Sequence, residues 1–398
     1  MTARVHRSAH APRGDDHYDA VIVGGRVAGA ATALLLARRG HRVLVLDRDG
    51  YGRDTLSTHA LMRPAIVQLR RWGLLDRVVA AGTPPVRRVV FHYGGDPLPI
   101  DLADPLYAPR RTVFDRILVD AATAAGARFH FGVHVEDVLR DGGRVVGVRG
   151  RDRDGAAFAV RATVTVGADG RNSLLAQRVG ATVTRATTTR SAVLFGYWTG
   201  VEAAGYEWCF GPGTTGGLIP TNHDQVCVWA GMPTERFRAL RSAREAAVHA
   251  ILAETTPDVA RRVAAGRRSG PIRGFPGQDG VMRRPWGPGW ALVGDAGYFK
   301  DALTSHGMSD ALRDAELLVR GLDGMFSGRD TAVSALSEYE RRRDDLSIEF
   351  FDATARVASY DWDLQQVQAE HLAISAAMQR ESRALSALDG VALGSAAP

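Results

Sequence analysis

The stretch Val21–Arg48, VIVGGRVAGAATALLLARRGHRVLVLDR, constrains the fold more than any other part of the chain. An apolar run ending at Val23 meets Gly24 and Gly25, and Gly29 follows. A helix-forming segment comes next, Gly40 ends it, and a second apolar run closes on Asp47. A strand, a tight turn, a helix and a parallel strand tipped with an acid form the Rossmann unit that holds a dinucleotide. Gly24 allows the tight turn, and Gly29 lets the helix lie close to the strand. Gly25, Arg26 and Ala28 stand where the helix opens, so its unpaired N–H groups and dipole favour a pyrophosphate. Asp47, 23 residues after Gly24, suits a ribose diol, with Arg48 beside it. The middle glycine of G-x-G-x-x-G is Arg26 here, whose guanidinium can help neutralise phosphate. The same stretch also suits an ordinary βαβ unit with no ligand.

The totals narrow the class. A chain of 398 residues, 45% apolar, has room for two or three packed units. No apolar run approaches the ~20 residues needed to span a bilayer. Met1–His17 is polar and lacks the apolar centre of a secretory signal, so it reads as a disordered lead-in. Cys209 and Cys227 are too few for a disulfide framework, and reduced thiols in a cytoplasmic protein are expected. The net charge is +6, yet the arginines are scattered among acids, as in Arg341-Arg342-Arg343-Asp344-Asp345. No basic block interleaves with aromatics, so nucleic acid is not an expected partner. All but one of the 50 basic residues are arginine, the exception being Lys300.

Along the chain, the pattern places a first nucleotide-binding part at 18–180, an inserted sheet with a helix at 181–280, a return segment at 281–330 and a helical end at 331–398. Ser57 or Thr58 is placed to cap the helix after the first βαβ. Arg111–Gly126 is a helix with Phe114, Ile117, Leu118 and Ala121 on one face. Gly180–Pro233, rich in Thr, Trp, Tyr and Val, reads as an antiparallel sheet. Two further strands stop at a glycine followed by an acid: Val166-Gly167-Ala168-Asp169-Gly170, and Val293-Gly294-Asp295. Each acid sits where it can meet a ligand hydroxyl or cap a helix.

With the first βαβ, and in this order and spacing, the chain resembles the FAD-dependent aromatic hydroxylase superfamily, which includes the geranylgeranyl-reductase-like enzymes and the flavin halogenases. The matching residues are Gly24, Gly29 and Asp47, then Arg111-x-x-Phe114-Asp115, then Asp169-Gly170 with Ser173, then Gly294-Asp295 with Gly307. The resemblance implies an α/β fold: a Rossmann-type FAD-binding domain with an inserted antiparallel β-sheet substrate domain and C-terminal helices. It implies that the first motif and Asp47 hold the ADP half of FAD, with Arg111 near the pyrophosphate or ribose and Val135 near the adenine. Asp169 and Gly170 would lie near the pyrophosphate and the path of the nicotinamide donor, and Asp295 would bind the ribityl chain. Gly307 and Met308 would open a helix facing the flavin pyrimidine. His59 and His306 are the candidate proton donors or acceptors. No metal cluster is expected.

The resemblance also frames the chemistry. The third motif, GDAGYFKDALTSHGMSDA, departs from the hydroxylases at Tyr298, Ala302 and Ser309, and looks like the reductase and halogenase variant. Halogenases carry W-x-W-x-I-P and a lysine from the N-terminal part of the chain. Here Thr215 and Gly217 replace both tryptophans, and the only lysine is Lys300. The expectation is an NAD(P)H-dependent monooxygenase that hydroxylates or epoxidises an aromatic or polyketide-like metabolite, with reduced FAD and molecular oxygen forming the oxidant. The alternatives are a reductase of a hydrophobic prenyl or polyketide substrate, a halogenase, and a non-catalytic FAD-binding protein. Phe195, Tyr197, Trp198, Tyr206, Trp208 and Trp229 are expected to form an apolar lid or simply sheet core. The oligomeric state is left open.

Overall fold

The computed structural model describes residues 17–240 and 242–388. Apart from His17, the expected lead-in lies outside them. The strands His17–Val23 and Val43–Asp47 pair in parallel, their apolar residues buried on both faces, as a sheet covered on both sides requires. Arg128–Phe131 extends the sheet beyond Val43–Asp47. Ala157–Gly167 and then Trp290–Leu292 extend it on the other side, all in parallel. The hairpin His134–Asp141 with Arg144–Arg151 joins antiparallel, and Trp286–Gly287 completes eight strands. This is the α/β architecture anticipated from the glycine spacing.

The helix Val27–Ala37 is apolar all round, and ten of its eleven residues are buried. It is an inner helix, packed between Arg111–Ala124 and Gly307–Phe326. Each of Leu34, Leu35 and Leu36, fully buried, contributes roughly 1.5–3 kcal/mol relative to exposure. The next helix, Arg63–Arg71, starts after Met62 with no side-chain cap. The expected cap therefore does not form: the Ser57 hydroxyl instead accepts the His59 N–H at 3.1 Å, and the Thr58 hydroxyl meets Ser305 at 3.3 Å.

A second sheet of seven strands runs in the order Arg267–Phe275, Ser191–Thr199, Gln225–Pro233, Thr214–Thr221, Tyr206–Gly211, Val86–His92 and Leu98–Leu106. It is antiparallel except where Tyr206–Gly211 runs parallel to Val86–His92, a strand that arrives from the first part of the chain. Period-two alternation splits its faces. Phe195, Trp229, Gly217 and Trp208 are successive cross-strand partners on the inner face, which joins the core of the first unit. Trp198, Leu218 and Val228 point outward against helices Arg244–Thr255 and Pro257–Ala265. Trp198 is thus no part of an inner apolar wall, because it lies an odd number of residues from Phe195 and Tyr197. Helices Ala332–Ala358 and Leu364–Ser386 close the molecule, the second packing on Ala332–Ala358 and Arg63–Arg71.

Candidate functional site

Two glycines bring the three motifs to one point. Gly24 has φ +101°, and a Cβ there would stand 2.4 Å from the Ala168 carbonyl oxygen, so the first and second motifs touch. A Cβ on Gly294 would stand 2.9 Å from the Ala28 Cβ, which ties the third motif to the first helix. Beside this junction opens a cavity of about 790 Å³. Gly24, Arg26, Ala28, Asp47, Arg48, Val135, Asp169, Gly170 and Arg111 line it. So do Asp295, Gly307, Met308 and His59. Four sequence candidates do not. Gly25 donates its N–H to Asp47 Oδ2 at 2.6 Å behind the wall. Gly29 packs against the turn, where a Cβ would come within 1.8 Å of the Gly24 carbonyl oxygen. Gly294 supports the junction, and the His306 ring turns into the protein to donate from Nε2 to Glu381 Oε2 at 2.7 Å.

At one end, Asp47 accepts the Gly25 N–H and, at 2.7 Å, the Asp49 N–H. Burial still raises its pKa, against those two bonds and the nearby Arg26. Arg26 pairs with Asp49 at 2.9 Å, while its buried Nη1 makes no hydrogen bond and only a longer ion-pair contact, 3.9 Å, with Asp115. Arg111 is fixed by a two-point bond to Asp115, at 2.7 and 3.0 Å. Asp169 accepts from the Ser173 hydroxyl at 2.5 Å and from the Leu175 N–H at 3.1 Å, which sets the turn before helix Leu174–Val179.

At the other end, Asp295 is half-buried in the wall. Burial, then the Asp310 carboxylate, pushes its pKa up to about 6, while Lys300, Arg171 and Arg111 pull the other way. Helix Gly307–Phe326 begins with no side-chain cap, leaving its first N–H groups for a ligand. A Cβ on Gly307 would meet no heavy atom nearer than Asp295 Oδ1 at 3.9 Å, so the wall is recessed there. That recess, two uncapped helix starts and an Arg26 nitrogen that makes no hydrogen bond fit an elongated, anionic dinucleotide. Val193, Phe195, Trp229 and Phe275 of the second sheet line the same cavity, so the apolar wall and the three-motif junction share one space.

A roof runs from Thr55 to Ala60. Its His59 has φ +70° and hydrogen-bonds through Nε2 to the Tyr197 hydroxyl. Burial first, then Arg110, Arg111 and Arg273, lowers the His59 pKa well below its ordinary value, so the ring is neutral near pH 7. Arg110 lies 3.6 Å over the Tyr197 ring. The roof is anchored at Asp54, bound by Arg273 at 2.9 Å and Arg110 at 3.4 Å. Sequence reasoning missed Phe275, Lys300 and Asp310 as wall residues. Lys300 alone carried a signal, as the sole lysine.

The geometry has counterparts among known proteins. Residues 17–354 match the family described as FAD binding domain. A tryptophan 2-halogenase of Chondromyces crocatus is 26% identical over 378 residues, covering 89% of this chain and 72% of its own. The structure of a myxobacterial chondrochloren halogenase, an FAD-dependent enzyme, superposes with a TM-score of 0.78 at 25% identity, covering 94% of this chain and 91% of that one. PqsL of Pseudomonas aeruginosa, described as a probable FAD-dependent monooxygenase, shares the fold with a TM-score of 0.77 at 22% identity, over 89% of this chain and all of that one. With the motifs, the cavity and the family match in agreement, the chain belongs to the FAD-binding domain family and is an FAD-dependent oxidoreductase.

Proposed function

We propose that the protein is a monooxygenase that inserts oxygen into an aromatic or polyketide-like small molecule, with NAD(P)H as electron donor. The observation that carries this reading is the single cavity in which Phe195, Trp229 and Phe275 face the cradle of Gly24, Asp295 and Gly307. A flat apolar substrate on that wall lies directly against the cofactor's end of the cavity. Bound FAD would supply the redox chemistry with oxygen. The chain's own residues would orient and shield. Arg26, Arg111 and the first helix would hold the pyrophosphate, Asp47 the adenosine ribose, Val135 the adenine side and Asp295 the ribityl chain. Gly307 and Met308 would let the last part of the cofactor approach the helix start, whose positive end favours charge on the reduced ring. Neutral His59, bonded to Tyr197, would hold the roof shut and keep water out rather than act as an acid. His306, turned away from the cavity, would orient that helix start. An aromatic ligand also suits the fold, since PqsL is described in complex with 2-aminobenzoylacetate.

The relatives' names favour a second reading, halogenation. The sheet argues against it. A Cβ on Gly217 would stand 2.0 Å from the Glu207 carbonyl oxygen and 2.8 Å from Trp229 Nε1, so a tryptophan cannot enter that strand without moving the sheet. The only lysine, Lys300, is buried and ion-paired with Asp310.

The test is a purified, FAD-loaded protein mixed with NADPH or NADH and a panel of aromatic and polyketide substrates under labelled oxygen. Donor oxidation that rises with substrate, and one labelled oxygen atom in the product, are expected. A product carrying bromine when bromide and a separate flavin reductase are supplied would replace this reading with halogenation. Substrate reduction without oxygen would replace it with a reductase.

A further inference from the structure

Behind the cavity's inner end, a chain of buried charges runs to the last helix. Lys300 is 6% exposed and lines the cavity. Its ammonium is paired with Asp310 and stands over the rings of Tyr298 and Phe350, 4.7 and 4.8 Å from their centres. Asp310 Oδ1 accepts from Arg313 at 3.0 Å, and the same guanidinium nitrogen donates to Glu381 Oε1 at 3.1 Å. Glu381 Oε2 holds His306. Burial works to raise the Asp310 pKa, but Lys300 and Arg313 outweigh it and hold the carboxyl below its ordinary range. His306, Asp310 and Glu381 place their ligand atoms within 4.8 Å of one another, a metal-like spacing. Arg313 already bridges the two carboxylates and Lys300 neutralises one of them, so a dication would meet two fixed positive charges there. Glu381 also lies beyond residue 354, where the family match ends.

We propose that this chain of charges sets the electron affinity of the bound cofactor: Lys300 presents its ammonium to the reducible end of FAD, and Glu381 of the last helix, through Arg313 and Asp310, governs how much of that charge the cofactor feels. The inference rests on the orientation proposed above, with the ADP half at Gly24 and the ring end at Lys300. A cation in a buried wall stabilises added negative charge strongly, because little water screens it. Loss of Lys300 therefore disfavours the reduced, anionic cofactor. Loss of the Glu381 charge leaves Arg313 less compensated and favours it. Lys300 acts on the cofactor directly, whereas Glu381 is a positioning residue.

The test uses the full chain loaded with FAD and reads sulfite binding, which bleaches oxidised flavin and yields an anionic adduct, together with the midpoint potential. Lys300→Met is expected to weaken sulfite binding at least tenfold and to lower the potential, by about 30 mV for a tenfold change in a two-electron couple. Lys300→Arg is expected to restore most of the affinity. Glu381→Gln is expected to shift both readouts the opposite way, with tighter sulfite binding. Structural loosening would move both variants in the same direction, and that result overturns the proposal. So does a yellow Lys300→Met protein with unchanged sulfite affinity. Should Lys300→Met fail to hold FAD, Lys300→Gln, which keeps a donor for Asp310, takes its place under the same criteria, and an unshifted Glu381→Gln still refutes the relay. Wild-type protein unable to bind FAD at all would instead sink the assignment of the cavity.

Discussion

Asp295 shows how a single residue trades stability for a site. Its pKa rises from 3.8 to about 6 because desolvation and the neighbouring Asp310 carboxylate disfavour its charge. A carboxyl raised in the folded state favours folding while it is protonated, and that contribution is lost as pH climbs through about 6. Above pH 7 this charge costs the apoprotein up to about 3 kcal/mol, from roughly two pKa units at 1.36 kcal/mol each. Asp295→Asn should therefore raise the apoprotein's melting temperature at pH 8 and leave it nearly unchanged at pH 4, while weakening FAD binding. Calorimetry at the two pH values checks the first part, and equal melting temperatures of the two proteins at pH 8 would refute it. Asp295 was legible in the sequence because a strand, a glycine and an acid are contiguous. Glu381 was not, because 75 residues separate it from His306 and nothing local in a helix marks a carboxylate as buried.

At the scale of elements, the same logic separates glycines that pattern alone treats alike. A Cβ on Gly29 would strike the Gly24 backbone carbonyl at 1.8 Å, and neither the helix nor the turn can give way without opening the three-motif junction. Gly170, with φ +80°, has no neighbour within 4 Å of its Cβ position, so an alanine there meets only left-handed strain of about 1–2 kcal/mol. Gly29→Ala should cost about 4 kcal/mol or more and strip the cofactor, whereas Gly170→Ala should keep it. Urea midpoints of the two variants decide the matter, and equal costs would refute the packing role given to Gly29. The parallel strands and the inner helix were readable because their apolar runs are unbroken. The second sheet was readable as a sheet, but its faces were only partly so. Period two sends Trp198 outward while its neighbour Tyr197 goes inward, and which parity meets the first unit depends on contacts across the molecule. Likewise Val86–His92 joins the distant Tyr206–Gly211, a pairing that no local pattern announces.

For the whole molecule, the question is what holds two sheets around one ligand. The roof is fastened at Asp54 to Arg110, the residue before helix Arg111–Ala124, and to Arg273 of the second sheet, and at His59 to Tyr197 of that sheet. Asp54 is 19% exposed and its two arginines 15% and 33%, so the latch is partly screened and should contribute about 1 kcal/mol to global stability. Its larger effect is expected on access. Arg110 keeps its hold on Gln225 and on the Tyr197 ring without Asp54, so the sheet wall stays intact while the roof loses its outer fastening. Asp54→Ala should then lower the melting temperature only slightly but speed FAD release about tenfold, the ratio that 1.4 kcal/mol of lost closure produces. Salt provides an internal check. Added NaCl screens a partly exposed ion pair, so it should accelerate FAD release from the wild type and barely change it in the variant. Release followed by the recovery of flavin fluorescence reads both quantities in one experiment. An Asp54→Ala protein that releases FAD at the wild-type rate, with the same response to salt, would show that the cofactor leaves by a route the roof does not cover.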